Sequence, residues 1–297
     1  MTEGVLLKGY GGFYYVYAED RVWDCSLRGR FRIKDQDFLP GDRVKILPKE
    51  DNKATIEGVE PRRNALTRPA IANVDLALLV FALTSPKPDL NLLDRLLIQV
   101  TVAEIEPIIV FTKLDKFNET TSTIIGFEEH TITDVYRKIG YTVFEVSNET
   151  GQGIDEVKLQ LADKVSVLAG PSGSGKSSLF NALSPGKELK VGEISTKSKR
   201  GRHTTRHVEL MVCAGGLVAD TPGFSSLFLP NIKRAELTDF FPEFNERRQQ
   251  CRFNSCLHDK EPDCAIKAAL ESGEISASRY EHYRIFLQEV IEAERRY

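Results

Sequence analysis

Residues 165 to 183 run Val-Ser-Val-Leu-Ala-Gly-Pro-Ser-Gly-Ser-Gly-Lys-Ser-Ser-Leu-Phe-Asn-Ala-Leu, and the reading of this stretch decides the fold. Within it Gly170-Pro171-Ser172-Gly173-Ser174-Gly175-Lys176-Ser177 is a complete G-x-x-x-x-G-K-[ST] spacing. The apolar run Val165 to Ala169 feeds it as a strand, and Ser178 to Leu183 leaves it as a helix-compatible run. Strand, glycine-rich loop and helix in this order bind phosphate. The glycines let successive backbone N–H groups close around the oxygens, and the helix N-terminus adds a favourable field. Lys176 is placed to reach β- and γ-phosphates, and the Ser177 hydroxyl to bind Mg²⁺. A Gly/Ser-rich loop with no ligand is the bland alternative, and the flanking strand and helix argue against it.

The loop does not say which base the nucleotide carries. Upstream, Thr112-Lys113-Leu114-Asp115 follows the apolar run Pro107 to Phe111 and matches an N/T-K-x-D pattern. A carboxylate at Asp115 can accept hydrogen bonds from both the N1–H and the 2-amino group of guanine. Adenine offers neither donor there, and a buried carboxylate left unpaired is the kind of mismatch that costs most in selectivity. The Lys113 stem can lie against the base, while Thr112 stands where Asn is commoner. Ser147, after the run Tyr141 to Val146, fits a short serine loop completing a guanine site.

Downstream, Asp220-Thr221-Pro222-Gly223 closes the apolar run Gly216 to Ala219, a D-x-x-G pattern. Asp220 is expected to hold Mg²⁺ through water and the Gly223 amide to sense the γ-phosphate. Between loop and D-x-x-G lies Lys199-Arg200-Gly201-Arg202-His203-Thr204-Thr205-Arg206. A first switch segment there would supply a threonine to Mg²⁺ and the γ-phosphate, Thr205 ahead of Thr204. Many switch GTPases orient the attacking water with a glutamine directly after D-x-x-G. Here that position is Phe224, so another group must position the water, and His203 is the candidate. The alternative for His203 is a surface histidine in a basic loop.

Guanine element, serine loop, phosphate loop, first switch and second switch form the usual GTPase cycle opened at a different point. Such a circular permutation leaves the sheet intact, because strand neighbours survive relocated termini. From Val74 onward apolar strands alternate with amphipathic helices, the signature of a mostly parallel sheet. Strands are predicted at 74–83, 107–111, 141–146, 164–169, 207–213 and 216–219, with helices near 91–105, 131–139, 153–162 and from Gly175. Tyr280, Tyr283, Leu287 and Val290 mark the apolar face of a last helix.

The first 60 residues differ: short apolar and aromatic runs broken by Gly and Pro suggest a small all-β barrel. Arg28, Arg30, Arg32 and Lys34 alternate with Gly29, Phe31 and Ile33. As a strand this would put four cations on one face, either an ordinary solvated face or the grip of an oligonucleotide-binding barrel on phosphates. Near the other end, Cys251-x4-Cys256-x-His258-x5-Cys264 sets three thiolates and an imidazole in a pattern suited to tetrahedral Zn²⁺. Four ligands leave no open position, so the ion would be structural. Three coincidentally close thiols are the alternative, and Cys25 and Cys213 read as inert core residues.

At 297 residues the chain suits two or three domains of roughly 100 to 200 residues each. Boundaries are expected at 1–65 for the barrel, 66–228 for the permuted α/β nucleotide-binding domain and 229–297 for a helical zinc-binding domain. Apolar residues make up 41% and charged residues 28%, so every part can bury a core. The longest apolar stretch, Leu76 to Leu83, is far short of the roughly 20 residues a membrane helix needs. The N-terminus lacks the form of a secretory signal, and an odd five cysteines fit a reducing compartment. A cytoplasmic monomer is expected. The net charge of −3 neither argues for nucleic acid nor excludes it.

In this order, barrel, permuted core and Cys/His module closely resemble the bacterial ribosome-small-subunit-dependent GTPase A family. The resemblance covers essentially the whole chain and includes Glu60-Pro-Arg-Arg-Asn-Ala-Leu-Thr-Arg-Pro-Ala-Ile-Ala-Asn-Val-Asp75, Thr112–Asp115, Gly170–Ser178, Gly201–Arg206, Asp220–Phe224 and the four Cys/His positions. It implies a GTPase that acts late in small-subunit maturation, binds 16S ribosomal RNA through its flanking domains and is stimulated by the subunit. It also implies a hydrolytic histidine at position 203. The seven Lys and Arg between Lys187 and Arg206 then become candidate contacts to RNA phosphates. Two other readings remain: an RNA-binding module whose nucleotide is only a timer, and an ATP-dependent enzyme, which Asp115 disfavours.

Overall fold

The computed structural model describes residues 1–29, 37–67, 69–117, 131–184, 208–220 and 228–295, with Asp220 described for its backbone alone. Five strands open the chain: β1 (Thr2–Tyr10), β2 (Phe13–Ala18), β3 (Arg21–Leu27), β4 (Arg43–Pro48) and β5 (Lys53–Val59). They close into a barrel in the order β1-β2-β3-β5-β4, with β3 and β5 parallel and β4 returning to β1. Alternate residues fill it, among them Leu6, Val16, Trp23, Val44, Ile46 and Ile56, as the period of two in a strand requires. Burial pushes the Cys25 thiol up to about 12, as suits an inert core residue. The predicted cationic strand does not extend β3 over its described part. β3 stops at Leu27, opposite Ile56, and Arg28 just beyond pairs with Glu57. Arg30, Phe31, Arg32, Ile33 and Lys34 lie outside the described residues.

After the short hairpin β6 (Ala65–Thr67) and β7 (Ala70–Ala72) comes a six-stranded sheet. It contains β8 (Leu76–Ala82), β9 (Glu106–Thr112), β10 (Thr142–Glu145), β11 (Val165–Ala169), β12 (Leu210–Cys213) and β13 (Gly216–Asp220), in the order β10-β9-β8-β11-β13-β12. Every pairing is parallel except that of β12 with β13. All seven residues of β8 are buried because helices cover both faces. Ala77, Leu79 and Phe81 meet α1 (Leu90–Val102) and α2 (Ile132–Lys138) on one side. Leu76, Leu78 and Val80 meet α3 (Ile154–Leu161) and α4 (Lys176–Leu183) on the other.

The stretch Glu60 to Asp75 joins barrel and sheet. Asp42, fully buried, accepts from Arg62 Nε at 2.7 Å and Nη2 at 3.0 Å. Asn73 donates from Nδ2 to the Gly41 carbonyl and accepts the Arg63 N–H, while Asn64 bonds both backbone groups of Val74. Gly41, at φ 90°, lies so close that a Cβ would stand 1.9 Å from the Ala72 carbonyl oxygen. Leu7 of the barrel joins the core that contains Leu210 of β12, with Lys8 paired to Glu209 on the rim.

At the other end a helical module forms from α5 (Pro242–Asn245), α6 (Ala265–Glu271) and α7 (Ala277–Glu294). Phe241, Phe244, Tyr283, Phe286 and Leu287 make its core, and Ile98 of α1 completes it. Tyr280, Tyr283, Leu287 and Val290 are all buried on the predicted face of α7. Among the described residues no helix is long and apolar enough to cross a membrane.

Candidate functional site

The described parts of the predicted nucleotide-binding elements gather at the carboxyl edge of the parallel sheet. Thr112 ends β9, Ser147 follows β10, Gly170 follows β11, and Asp220 ends β13 in register with Leu168. The chain lays β9 and β10 to one side of β8 and β11 and β13 to the other. The crevice at such a reversal is where open α/β sheets take ligands.

Two glycines set the loop. Gly170, at φ 137°, passes so near β8 that a Cβ would lie 2.1 Å from the Val80 carbonyl oxygen. Gly175, at φ 93°, caps α4 in the left-handed region and would bring a Cβ to 3.1 Å from Thr112 Oγ1. Pro171 is half-buried, Ser172 and Gly173 are exposed, and Ser174 turns inward, fully buried. Lys176 Nζ donates to the carbonyls of Gly170 at 2.9 Å and Pro171 at 2.7 Å, which holds the ammonium across the loop. Ser177 and Ser178 sit half-buried in the first turn of α4.

The Thr112–Asp115 segment is riveted to that loop although some 60 residues separate them in sequence. Thr112, fully buried, donates from Oγ1 to the Ser174 carbonyl at 2.5 Å. Lys113, at φ 63°, donates from Nζ to the Gly173 carbonyl at 3.0 Å and to that of Ser85. Leu114 packs on the core and its N–H bonds the Val146 carbonyl. Asp115 is exposed at the crevice, and its Oδ1 accepts the Ser147 hydroxyl at 2.7 Å. Ser147 Oγ in turn accepts the Thr150 N–H at 3.1 Å. One carboxylate oxygen of Asp115 is thereby oriented from the serine loop. Ser85 and Thr150 carry no signal in the sequence, because each acts through position rather than type.

His203, Thr204, Thr205 and Gly223 lie outside the described residues, as does the basic run from Lys187 to Arg206.

Cys251, Cys256, His258 and Cys264 converge so that their ligand atoms all lie within 4.8 Å of one another. Cys251 and Cys264 Sγ stand 3.9 Å apart, and His258 Nδ1 is 3.5 and 3.4 Å from them. Tetrahedral ligation at ordinary Zn–S and Zn–N lengths requires separations of about 3.8 Å between sulfurs and about 3.6 Å between sulfur and nitrogen. The donor set fits a metal ion. Burial holds the His258 imidazole below its ordinary pKa, favouring the neutral ligand form, and pushes the Cys256 thiol up to about 12. Tyr280 and Tyr283 donate to the carbonyls of His258 and Leu257, and Glu261 accepts three N–H groups of the loop. The cluster is thus tied to α7 from behind.

The RsgA GTPase family model matches residues 59–230, and the RsgA N-terminal domain model residues 3–56. The chain belongs to the RsgA GTPase family. The "Small ribosomal subunit biogenesis GTPase RsgA" of Moorella thermoacetica is 54% identical over 295 residues, 99% of each chain. That of Geobacillus kaustophilus is 48% identical over 297 residues, the whole of both. Among solved structures, the circularly permuted GTPase YloQ superposes with a TM-score of 0.80 at 38% identity, covering 99% of this chain and 96% of its own. YjeQ from Thermotoga maritima gives 0.81 at 35% identity, with 98% of each chain covered. As a member of the RsgA family the chain is a GTPase, a hydrolase with a circularly permuted nucleotide-binding core. The RsgA relatives match from end to end, so the likeness spans the barrel, the core and the helical module of this chain.

Proposed function

We propose that this GTPase serves the maturation of the small ribosomal subunit as a cytoplasmic monomer. It would bind 16S ribosomal RNA through the barrel and the Cys/His module and hydrolyse GTP when the subunit is engaged. The names of full-length RsgA relatives support the process. The observation that carries the site reading is the junction of Thr112 and Lys113 with the loop Gly170–Ser178, with Asp115 held by Ser147 alongside, which leaves one crevice for base and phosphates. Guanine would lie against the Lys113 stem with N1–H and the 2-amino group on Asp115. The phosphates would be wrapped by the N–H groups from Gly173 to Ser178.

Mg²⁺, held by Ser177, Thr205 (or Thr204) and through water by Asp220, would neutralise charge on the β- and γ-oxygens. Lys176 would leave the loop carbonyls for those oxygens, and the Gly223 amide would mark the γ-phosphate. His203 would orient the attacking water, and ribosomal RNA contacting the basic run Lys187–Arg206 would bring it into place. Zn²⁺ at Cys251, Cys256, His258 and Cys264 would be structural.

The test is GTP turnover with purified small subunits, with large subunits and with neither. Stimulation by small subunits alone is expected. In His203→Ala that stimulated rate should fall by about 10²–10⁴-fold with GTP binding and subunit binding kept. Full stimulated turnover in the variant would sink the hydrolytic role, and equal rates in all three mixtures the process.

A further inference from the structure

We propose that Asn148 is a specificity-determining residue that reads the acceptor edge of guanine. The proposal rests on the guanine-site reading above. In the common form of the motif an asparagine amide precedes the Lys-x-Asp; here the residue is Thr112, and its one hydroxyl is spent on the Ser174 carbonyl. Thr112 is fully buried and has no donor left to aim into the crevice.

An amide does stand at the same junction, delivered from another segment. Asn148 directly follows Ser147, the residue that orients Asp115, so backbone geometry fixes it beside the base-reading carboxylate. Its Nδ2 lies 3.5 Å from where a Cβ on Gly175 would be, and Thr112 Oγ1 lies 3.1 Å from that same point. The carboxamide therefore borders both the guanine motif and the turn at which the phosphate loop enters α4.

A residue bracing the loop would use its amide on backbone groups, as Asn64 and Asn73 do in this chain. Asn148 does not: its Oδ1 is buried without a hydrogen-bond partner. The residue as a whole is half-buried, so what it leaves open is not that oxygen. With the oxygen turned inward, the amide N–H₂ is the end available to a ligand. Guanine presents two acceptors, O6 and N7, on the edge away from the donors that Asp115 would take. Asp115 and Asn148, on adjoining loops, thus match donors with an acceptor and acceptors with a donor.

The experiment compares affinities for GDP, 7-deaza-GDP, which lacks the N7 acceptor, and 6-thio-GDP, which keeps N1–H and the 2-amino group but sets a weakly accepting sulfur in place of O6. Native protein should bind GDP about tenfold more tightly than at least one analogue. Asn148→Ala should weaken GDP by a similar factor while leaving that analogue little changed, so that the ratio falls toward one. Asn148→Asp, which sets a carboxylate against the acceptors, should weaken GDP further. A ratio unchanged in Asn148→Ala, whether or not all three affinities drop together, overturns the assignment, as does native protein that discriminates against neither analogue. Asp115→Asn provides the separate check. If it fails to shift preference from GDP toward xanthosine diphosphate, the guanine-site reading fails; if it shifts while the Asn148 ratio stays fixed, only the Asn148 assignment does.

Discussion

The two joints that fasten the flanking modules to the GTPase core use different physics. At the barrel joint most bonds involve backbone: Ala72 N–H to the Pro40 carbonyl, Asn73 to the Gly41 carbonyl, Asn64 to both polar groups of Val74. Among the described residues its one buried charge, Asp42, meets an Arg62 still 30% exposed. At the joint with the helical module side chains carry the contact. Arg279 of α7, 2% exposed, donates to Asp94 of α1 at 2.5 Å and to both oxygens of Glu243 at 2.8 and 3.1 Å. Tyr136 of α2 and His282 of α7 also bond Asp94. Burial works against the Arg279 charge, and Asp94 and Glu243 reverse that, raising its pKa well above the ordinary value. A backbone joint depends on conformation and clearance, whereas a charged one depends on every partner being present.

That contrast can be broken at either end. The largest effect should come from Arg279→Leu, which strands two buried carboxylates and should cost about 3–5 kcal/mol in chemical denaturation. Replacing Asp94, Glu243 and Arg279 together by apolar residues of similar volume should recover much of that loss. A triple variant no better than the single one would show that packing, not charge balance, holds the joint. Gly41→Ala attacks the other joint through the left-handed φ and the close Ala72 carbonyl. A loss of about 2–3 kcal/mol is expected; unchanged denaturation would show that the clasp yields freely. The smallest effect belongs to Lys8→Ala, since its pair with Glu209 is 37% and 50% exposed on the two sides. It should cost under about 1 kcal/mol and less still in high salt. A larger loss that high salt largely removes would mean that the rim pair, not Leu7, seats the barrel on β12; a larger, salt-independent one would assign it to Lys8 packing over Tyr15.

Asp94, Glu243 and Arg279 are invisible in sequence for a simple reason. Each lies at an ordinary position in a helix, where a charged residue is normally solvated, and their partners come from segments up to 188 residues away. Glu60–Asp75 stood out only through family resemblance, and its work as a clasp emerges from the partners of Arg62, Asn64 and Asn73. The cationic alternation from Arg28 suggested strand because alternation is the local signature of one. β3 itself ends at Leu27, and the alternation from Arg30 onward lies outside the described residues.

By itself the sequence determined what depends on residue type at short spacing: the glycine-rich loop after β11, the four Cys/His positions, the strand–helix alternation and the rotated order of elements. Each is set by backbone freedom, ligand chemistry or a period of 2 or 3.6 residues, and needs no distant partner. The tertiary structure alone decided that Thr112 is spent on Ser174, that Asn148 borders the same turn, and that Arg279 bridges Asp94 and Glu243. Those facts follow from which segments pack together, and a buried polar atom has no fixed role until the fold supplies or withholds its partner.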